Sequence, residues 1–78
     1  MKKRVFNKTD TILYMYTKLL DGKTLAKKDV MERCLINEVS FMRYLSSIRS
    51  YLNKIHSEYE LFYDRKENVY YLKKRLII

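Results

Sequence analysis

Asn37-Glu38-Val39-Ser40-Phe41-Met42-Arg43-Tyr44-Leu45-Ser46-Ser47-Ile48-Arg49-Ser50-Tyr51-Leu52-Asn53-Lys54-Ile55 is the stretch that decides the fold. Asn37 brings a side-chain oxygen that can accept a hydrogen bond from a backbone N–H at a helix start. Large apolar residues follow at Phe41, Tyr44, Leu45, Ile48, Tyr51, Leu52 and Ile55, the i, i+3, i+4, i+7 spacing of one buried helical stripe. The opposite side reads Val39, Met42, Arg43, Ser46, Ser47, Ser50 and Asn53. A solvated helix more often carries Glu and Lys there as i, i+4 pairs. This side is slim, polar and bears one early Arg, so it can lie flat in the groove of a double helix. The stretch is therefore expected to be a DNA-recognition helix over 38–55. Lys54 and His56 near its end suit the negative pole of the helix dipole, and His56 reads as a helix-end residue rather than a ligand or a base.

Working back towards the N-terminus, Leu35-Ile36 leaves room only for a tight corner. Before it, Ala26 to Cys34 is expected to form a short second helix with Val30 and Cys34 facing inward as i, i+4 partners. Thr24-Leu25 is short and β-favouring. A first helix is expected over roughly 10–21, with Thr9 or Asp10 as its cap and Ile12, Leu13, Tyr16, Leu19 and Leu20 as a wide apolar face. Asp21-Gly22-Lys23 ends it, because Gly accepts the left-handed backbone that closes a helix. Residues 1–9 carry Lys2, Lys3, Arg4 and Lys8 with no acid, and are expected to be either a frayed, solvated terminus or a basic arm that touches phosphates.

On the C-terminal side the period changes from 3.6 to 2. Tyr59-Glu60-Leu61-Phe62-Tyr63 and Val69-Tyr70-Tyr71-Leu72-Lys73 are rich in aromatic and β-branched residues. Between them lies polar Asp64-Arg65-Lys66-Glu67-Asn68, in which Asn68 can take a positive φ. The expectation is a two-stranded hairpin over 58–73, packed on the helices through Leu61, Tyr63, Tyr70 and Leu72. After a helix-turn-helix such a hairpin is a wing. Leu76-Ile77-Ile78 could cap the core, extend the second strand or make a dimer contact.

The whole chain bounds these readings. Its 78 residues make one domain, 1–78, and 47% of them are hydrophobic, enough for a single compact core. Lys and Arg number 17 against 9 Asp and Glu, a net charge of +8, which makes polyanions the natural partners. Cys34 is the only cysteine, so no intrachain disulfide forms, which fits a reducing cytosol. No apolar run is long enough for a signal peptide or a membrane span, and a cytoplasmic location is expected. One His, one Cys, one Gly and no carboxylates paired at a metal spacing leave no catalytic constellation, metal site or cofactor site to propose.

Gly22 to Asp29 followed by Ser40 to Arg49 resembles the N-terminal winged helix-turn-helix of DeoR-type and WYL-type bacterial transcription regulators. Asn37 stands at that family's capping Ser, Ser40 at its Thr, Phe41 at its Ile, Arg43 at its Arg, and Ile48-Arg49 at a later Leu-Arg. Asp64-Arg65-Lys66 and Tyr70-Tyr71-Leu72 look like its wing. The resemblance covers nearly the whole chain and implies an α+β fold of three helices plus a C-terminal two-stranded wing. It departs at Leu35, where the family usually has Gly; at Ala26, where it has Ser; and at Tyr44, where it has Asp. A Leu is costly in a left-handed conformation, so the corner is expected to find another geometry. Larger members also carry a ligand-sensing domain, and the resemblance here implies no inducer pocket. A basic domain of this size resembles small phage- or plasmid-type regulators.

The contacts divide by job. Val39, Ser40, Met42, Arg43, Ser46 and Ser47 are expected over base edges in the major groove, with Arg43 placed for a bidentate bond to guanine and Val39 or Met42 for a thymine methyl. Lys2, Lys3, Arg4, Lys27, Lys28, Arg65, Lys66 and Lys73 are expected on phosphates, with the 64–68 wing on the backbone or minor groove. Double-stranded DNA is the expected partner, and a homodimer is expected because one such module seldom binds tightly alone. Two other readings fit the same residues: a protein-interaction module docking through the tyrosine-rich wing and tail, and an RNA binder stacking Tyr70 or Tyr71 on bases.

Overall fold

The computed structural model of the protein describes residues 6–75. The expected contacts of Lys2, Lys3 and Arg4 and the role of Leu76-Ile77-Ile78 lie outside the described residues. Three helices, α1 (Lys8–Leu20), α2 (Lys27–Cys34) and α3 (Glu38–Ile55), combine with strands β1 (Leu25–Ala26), β2 (Tyr59–Asp64) and β3 (Val69–Lys74) in an α+β domain. The strands form one antiparallel sheet in the order β1-β3-β2. The expected two-stranded hairpin is therefore incomplete as a description. Leu25 pairs with Tyr70 and Ala26 with Val69, so the segment before α2 adds a third strand and ties the hairpin to the helices.

Each helix end has a local chemical cause. At α1 the cap is Asn7, not Thr9 or Asp10. Its side chain accepts from the Asp10 N–H at 2.7 Å, and the Asp10 carboxylate accepts from the Asn7 N–H at 3.3 Å, a reciprocal box. At the far end Gly22, with φ of 80°, donates to Leu19 O, and Lys23 N–H donates to Lys18 O. That pair of bonds satisfies the last carbonyls of α1. At the start of α3 the Asn37 side chain accepts from the Ser40 N–H at 2.8 Å, as the sequence led one to expect. α3 ends at Ile55, with His56 as its cap.

The corner between α2 and α3 corrects one expectation. Leu35 takes the left-handed conformation, φ 56° and ψ 52°, in the place a Gly usually fills. The neighbouring bonds hold it there. Ile36 N–H donates to Met31 O at 3.1 Å, half-buried Ile36 packs on the core, and Asn37 is engaged as the next cap. Leu35 itself is 65% exposed, so the strained residue gives up little burial.

The core is made by Met15 and Leu19 of α1, Leu25, Val30 and Cys34 of the middle segment, Phe41, Leu45, Ile48 and Leu52 of α3, and Leu61 of β2. The buried stripe of α3 is narrower than its apolar residues: Tyr44 is half-buried, and Tyr51 and Ile55 are exposed. In α1, Leu13 and Leu20 are likewise exposed, and the inward line is Thr11, Met15 and Leu19. Thr11 is the one buried polar residue among those described, and its hydroxyl donates to Asn7 O at 3.0 Å.

Candidate nucleic-acid interface

The outer side of α3 is exposed, and the rest of the domain reaches it through Tyr70 at Met42 and Lys27 at Glu38. Because Phe41, Leu45, Ile48 and Leu52 all point inward, Val39, Met42, Arg43, Ser46, Ser50 and Asn53 fall on the opposite arc and are exposed. Val39 is 60% and Met42 42% accessible, high values for apolar side chains on a core-forming helix. Glu38, Val39, Met42, Arg43 and Ser46 line a shallow open groove of about 460 Å³. No described side chain forms a hydrogen bond or ion pair with Arg43, which leaves its five N–H donors open.

Two of the expected base-contacting residues sit off this groove. Ser40 is half-buried near the helix start, where its N–H is taken up by Asn37. Ser47 is exposed but lines a different depression, shared with α1.

The hairpin meets α3 at a point sequence reasoning missed. The Tyr70 hydroxyl donates to Met42 Sδ at 3.9 Å, and the Tyr70 ring packs on Phe41 with centroids 5.7 Å apart. Tyr70 directly follows the first residue of β3, so this contact brings the turn end of the hairpin to the N-terminal half of α3. Tyr63 lies beside Tyr70, ring centroids 4.7 Å apart, but is exposed rather than packed, with its hydroxyl hydrogen-bonded to the Asn68 side chain. The signal was in the alternation: Leu61, Tyr63, Tyr70 and Leu72 had been expected on one side of the hairpin. The register Leu61↔Leu72 and Tyr63↔Tyr70 puts them there.

The turn itself is rigidly organised. Asp64 Oδ1 accepts from the N–H groups of Lys66 and Glu67 at 2.9 and 3.2 Å, and Asn68, at φ 62°, donates its N–H to Asp64 O. Asp64 is thereby occupied with its own backbone, and Arg65 and Lys66 are left exposed at the tip.

The other expected phosphate contacts are scattered. Lys28 is exposed and has no ion-pair partner among the described residues. Lys27 is tied to Glu38, with Nζ 2.7 Å from Oε2. This hydrogen bond holds the Lys27 ammonium protonated to higher pH than usual and the Glu38 carboxyl below its usual range. Lys73 faces Glu60 across the hairpin, on the side of the sheet opposite buried Leu61. The sheet thus stands between Lys73 and the core that α3 packs on.

No family model matches this chain, and no curated protein or solved structure matches it.

What the surface can do chemically follows from its parts. An exposed helix face with small hydroxyls, the apolar side chains of Val39 and Met42 and the guanidinium of Arg43 offers hydrogen bonds and van der Waals contact. Among the described residues, no group of three or more His, Cys, Asp and Glu could hold a metal ion. Cys34 is buried, and burial pushes its thiol above the ordinary range, away from nucleophilic thiolate. Among the described residues no helix is long and apolar enough to cross a membrane.

Proposed function

We propose that this chain is a winged helix-turn-helix protein that binds double-stranded DNA in a sequence-dependent way and regulates transcription. In this reading α2 and α3 are the helix-turn-helix, α3 enters the major groove, and the Arg65-Lys66 turn is the wing tip on the backbone or minor groove. The resemblance to the DNA-binding domain of DeoR-type and WYL-type regulators belongs to the same proposal. One observation carries it: Val39, Met42, Arg43, Ser46, Ser50 and Asn53 of α3 are all exposed, and Arg43 has no hydrogen-bond or ion-pair partner among the described residues. The net charge of +8 supplies the attraction to phosphate that any such contact needs.

Selection of bound sequences from a random duplex pool, at fixed salt, tests the reading. Recovery of a shared motif a few base pairs long supports it. Failure to retain any duplex at low salt overturns it.

A second reading has its own observation. On the sheet side opposite Leu61, Phe62 and Tyr71 stack with centroids 5.7 Å apart, and Phe62 is exposed. A protein partner could dock there, and a pulldown that recovers one from cells while duplex binding is absent would favour that function.

A further inference from the structure

A pocket of about 230 Å³ lies between the C-terminal half of α3 and the foot of the hairpin. Arg49 and Asn53, one turn apart on α3, line it from one side. Tyr59 and Glu60 of β2 and Arg75, just past β3, line it from the other. Leu52 and Leu61, both buried, add apolar surface. Two arginines thus share one small pocket with one carboxylate, and that carboxylate only partly answers them. Arg75 Nη1 is 3.8 Å from Glu60 Oε1, longer than a hydrogen bond. Arg49 has no hydrogen-bond or ion-pair partner among the described residues, and neither does the Asn53 side chain. Arg75 is also aimed: its Nε–H donates to Ser57 O at 2.8 Å, which fixes the plane of the guanidinium and leaves its Nη donors without a hydrogen bond.

The geometry points to a phosphate site in this pocket, held by Arg49 and Arg75 with the Asn53 amide. Like charges that share a pocket repel, and an anion between them turns that repulsion into attraction. A guanidinium presents N–H groups in a planar fork that matches two oxygens of a phosphate, so the residue type suits the ligand. The buried leucines exclude water from part of the wall, which strengthens the attraction. The site also continues the proposed reader. Arg49 follows Ser46 by three residues and Asn53 lies on the exposed arc of α3, so a helix lying in a major groove would bring a bordering strand past them. A backbone phosphate of duplex DNA is therefore the favoured source, and free phosphate shares its chemistry. The choice of source rests on the proposed DNA binding; the pocket does not.

Two measurements on the full chain test it: duplex binding by fluorescence anisotropy at several salt concentrations, and the arginine Nε–H resonances during titration with inorganic phosphate. Arg49→Gln, at an exposed position, should weaken a selected and a random duplex alike by about tenfold and lower the salt dependence by about one counterion. Lys23→Gln, which removes the same charge from the exposed loop after α1, should change binding far less. Phosphate should shift the Arg49 and Arg75 resonances together with one midpoint and leave Arg33, on α2, unmoved. If Arg49→Gln behaves as Lys23→Gln does and phosphate moves neither arginine, the site is overturned and the DNA function survives. Paired shifts in a chain that retains no duplex keep the site, with free phosphate as its ligand, and remove the DNA function. Loss of duplex binding in Arg49→Gln without shifts assigns the site to backbone phosphate, and shifts without that loss assign it to free phosphate.

Discussion

Lys27 Nζ lies 2.7 Å from Glu38 Oε2, so the first residue of α2 is joined to the first residue of α3 across the corner between them. The bond pairs the acid at the start of α3 with a lysine that the proposed DNA complex would use as a phosphate contact. Glu38→Gln should therefore tighten binding to duplex DNA at low salt and steepen the dependence on salt by about one released counterion. Fluorescence anisotropy titrations at several salt concentrations measure both. Unchanged affinity would mean that this end of α3 stays clear of the DNA.

The same pair sets a pH dependence. The Glu38 carboxyl is lowered by the bond from Lys27, so its share of stability is present above the ordinary Glu titration and is lost as pH falls through the lowered value. The Lys27 ammonium is raised by the same bond, so its share is present below the ordinary Lys titration and is lost as pH rises through the raised value. The difference in melting temperature between the native chain and Glu38→Gln should be level across neutral pH and shrink at both extremes. Both side chains are exposed, so the difference should be small and should fall with added salt.

Leu35 and Gly22 hold similar left-handed backbones, and exchanging their chemistry should move stability in opposite directions. Leu35→Gly relieves a β-carbon clash at an exposed site and should stabilise the fold by about 0.5–1 kcal/mol. Gly22→Ala places a methyl where no atom lies within 4 Å, so only the backbone objects, at a cost of about 1 kcal/mol. Urea denaturation of both variants checks the signs. A destabilised Leu35→Gly would show that its side chain packs in a way its exposure does not reveal.

Phe41 is fully buried where α3 meets the sheet, and Phe41→Ala should cost about 3–5 kcal/mol. A domain of this size has stability near the low end of the range of about 5–15 kcal/mol, so the variant should be largely open. Cys34 supplies the readout. In the native chain it is buried and its thiol titrates above the ordinary value, so alkylation near neutral pH should be slow and limited by opening. In Phe41→Ala it should approach the rate of a free thiol.

Much of this architecture was legible in the residues, and the failures share a cause. Asn37, the Phe41-Leu45-Ile48-Leu52 line, Gly22 and Asn68 all act within one turn of chain, where spacing and capping chemistry suffice to read them. Periodicity gives the direction of a buried face but not its width, so Leu13, Leu20, Tyr51 and Ile55 were assigned to a core that ends short of them. Thr24-Leu25 reads as β-favouring, but the pairing of Leu25 with Tyr70 spans much of the chain and local residues do not name that partner, so the third strand of the sheet is not legible from them. The Lys27–Glu38 bond and the separation of Ser47 from Ser46 are likewise products of how helices pack, not of the order of residues.

Comparison of Arg43→Ala with Arg65→Ala tests the central claim most directly, using a selected duplex and a random duplex in parallel anisotropy titrations. Arg43→Ala should reduce the preference for the selected site by about 1–3 kcal/mol while leaving random binding nearly intact, because one bidentate base contact is lost. Arg65→Ala should weaken both duplexes alike, as loss of a phosphate contact does. If Arg43→Ala changes neither duplex, or lowers both equally, the outer side of α3 does not read bases and the account is contradicted.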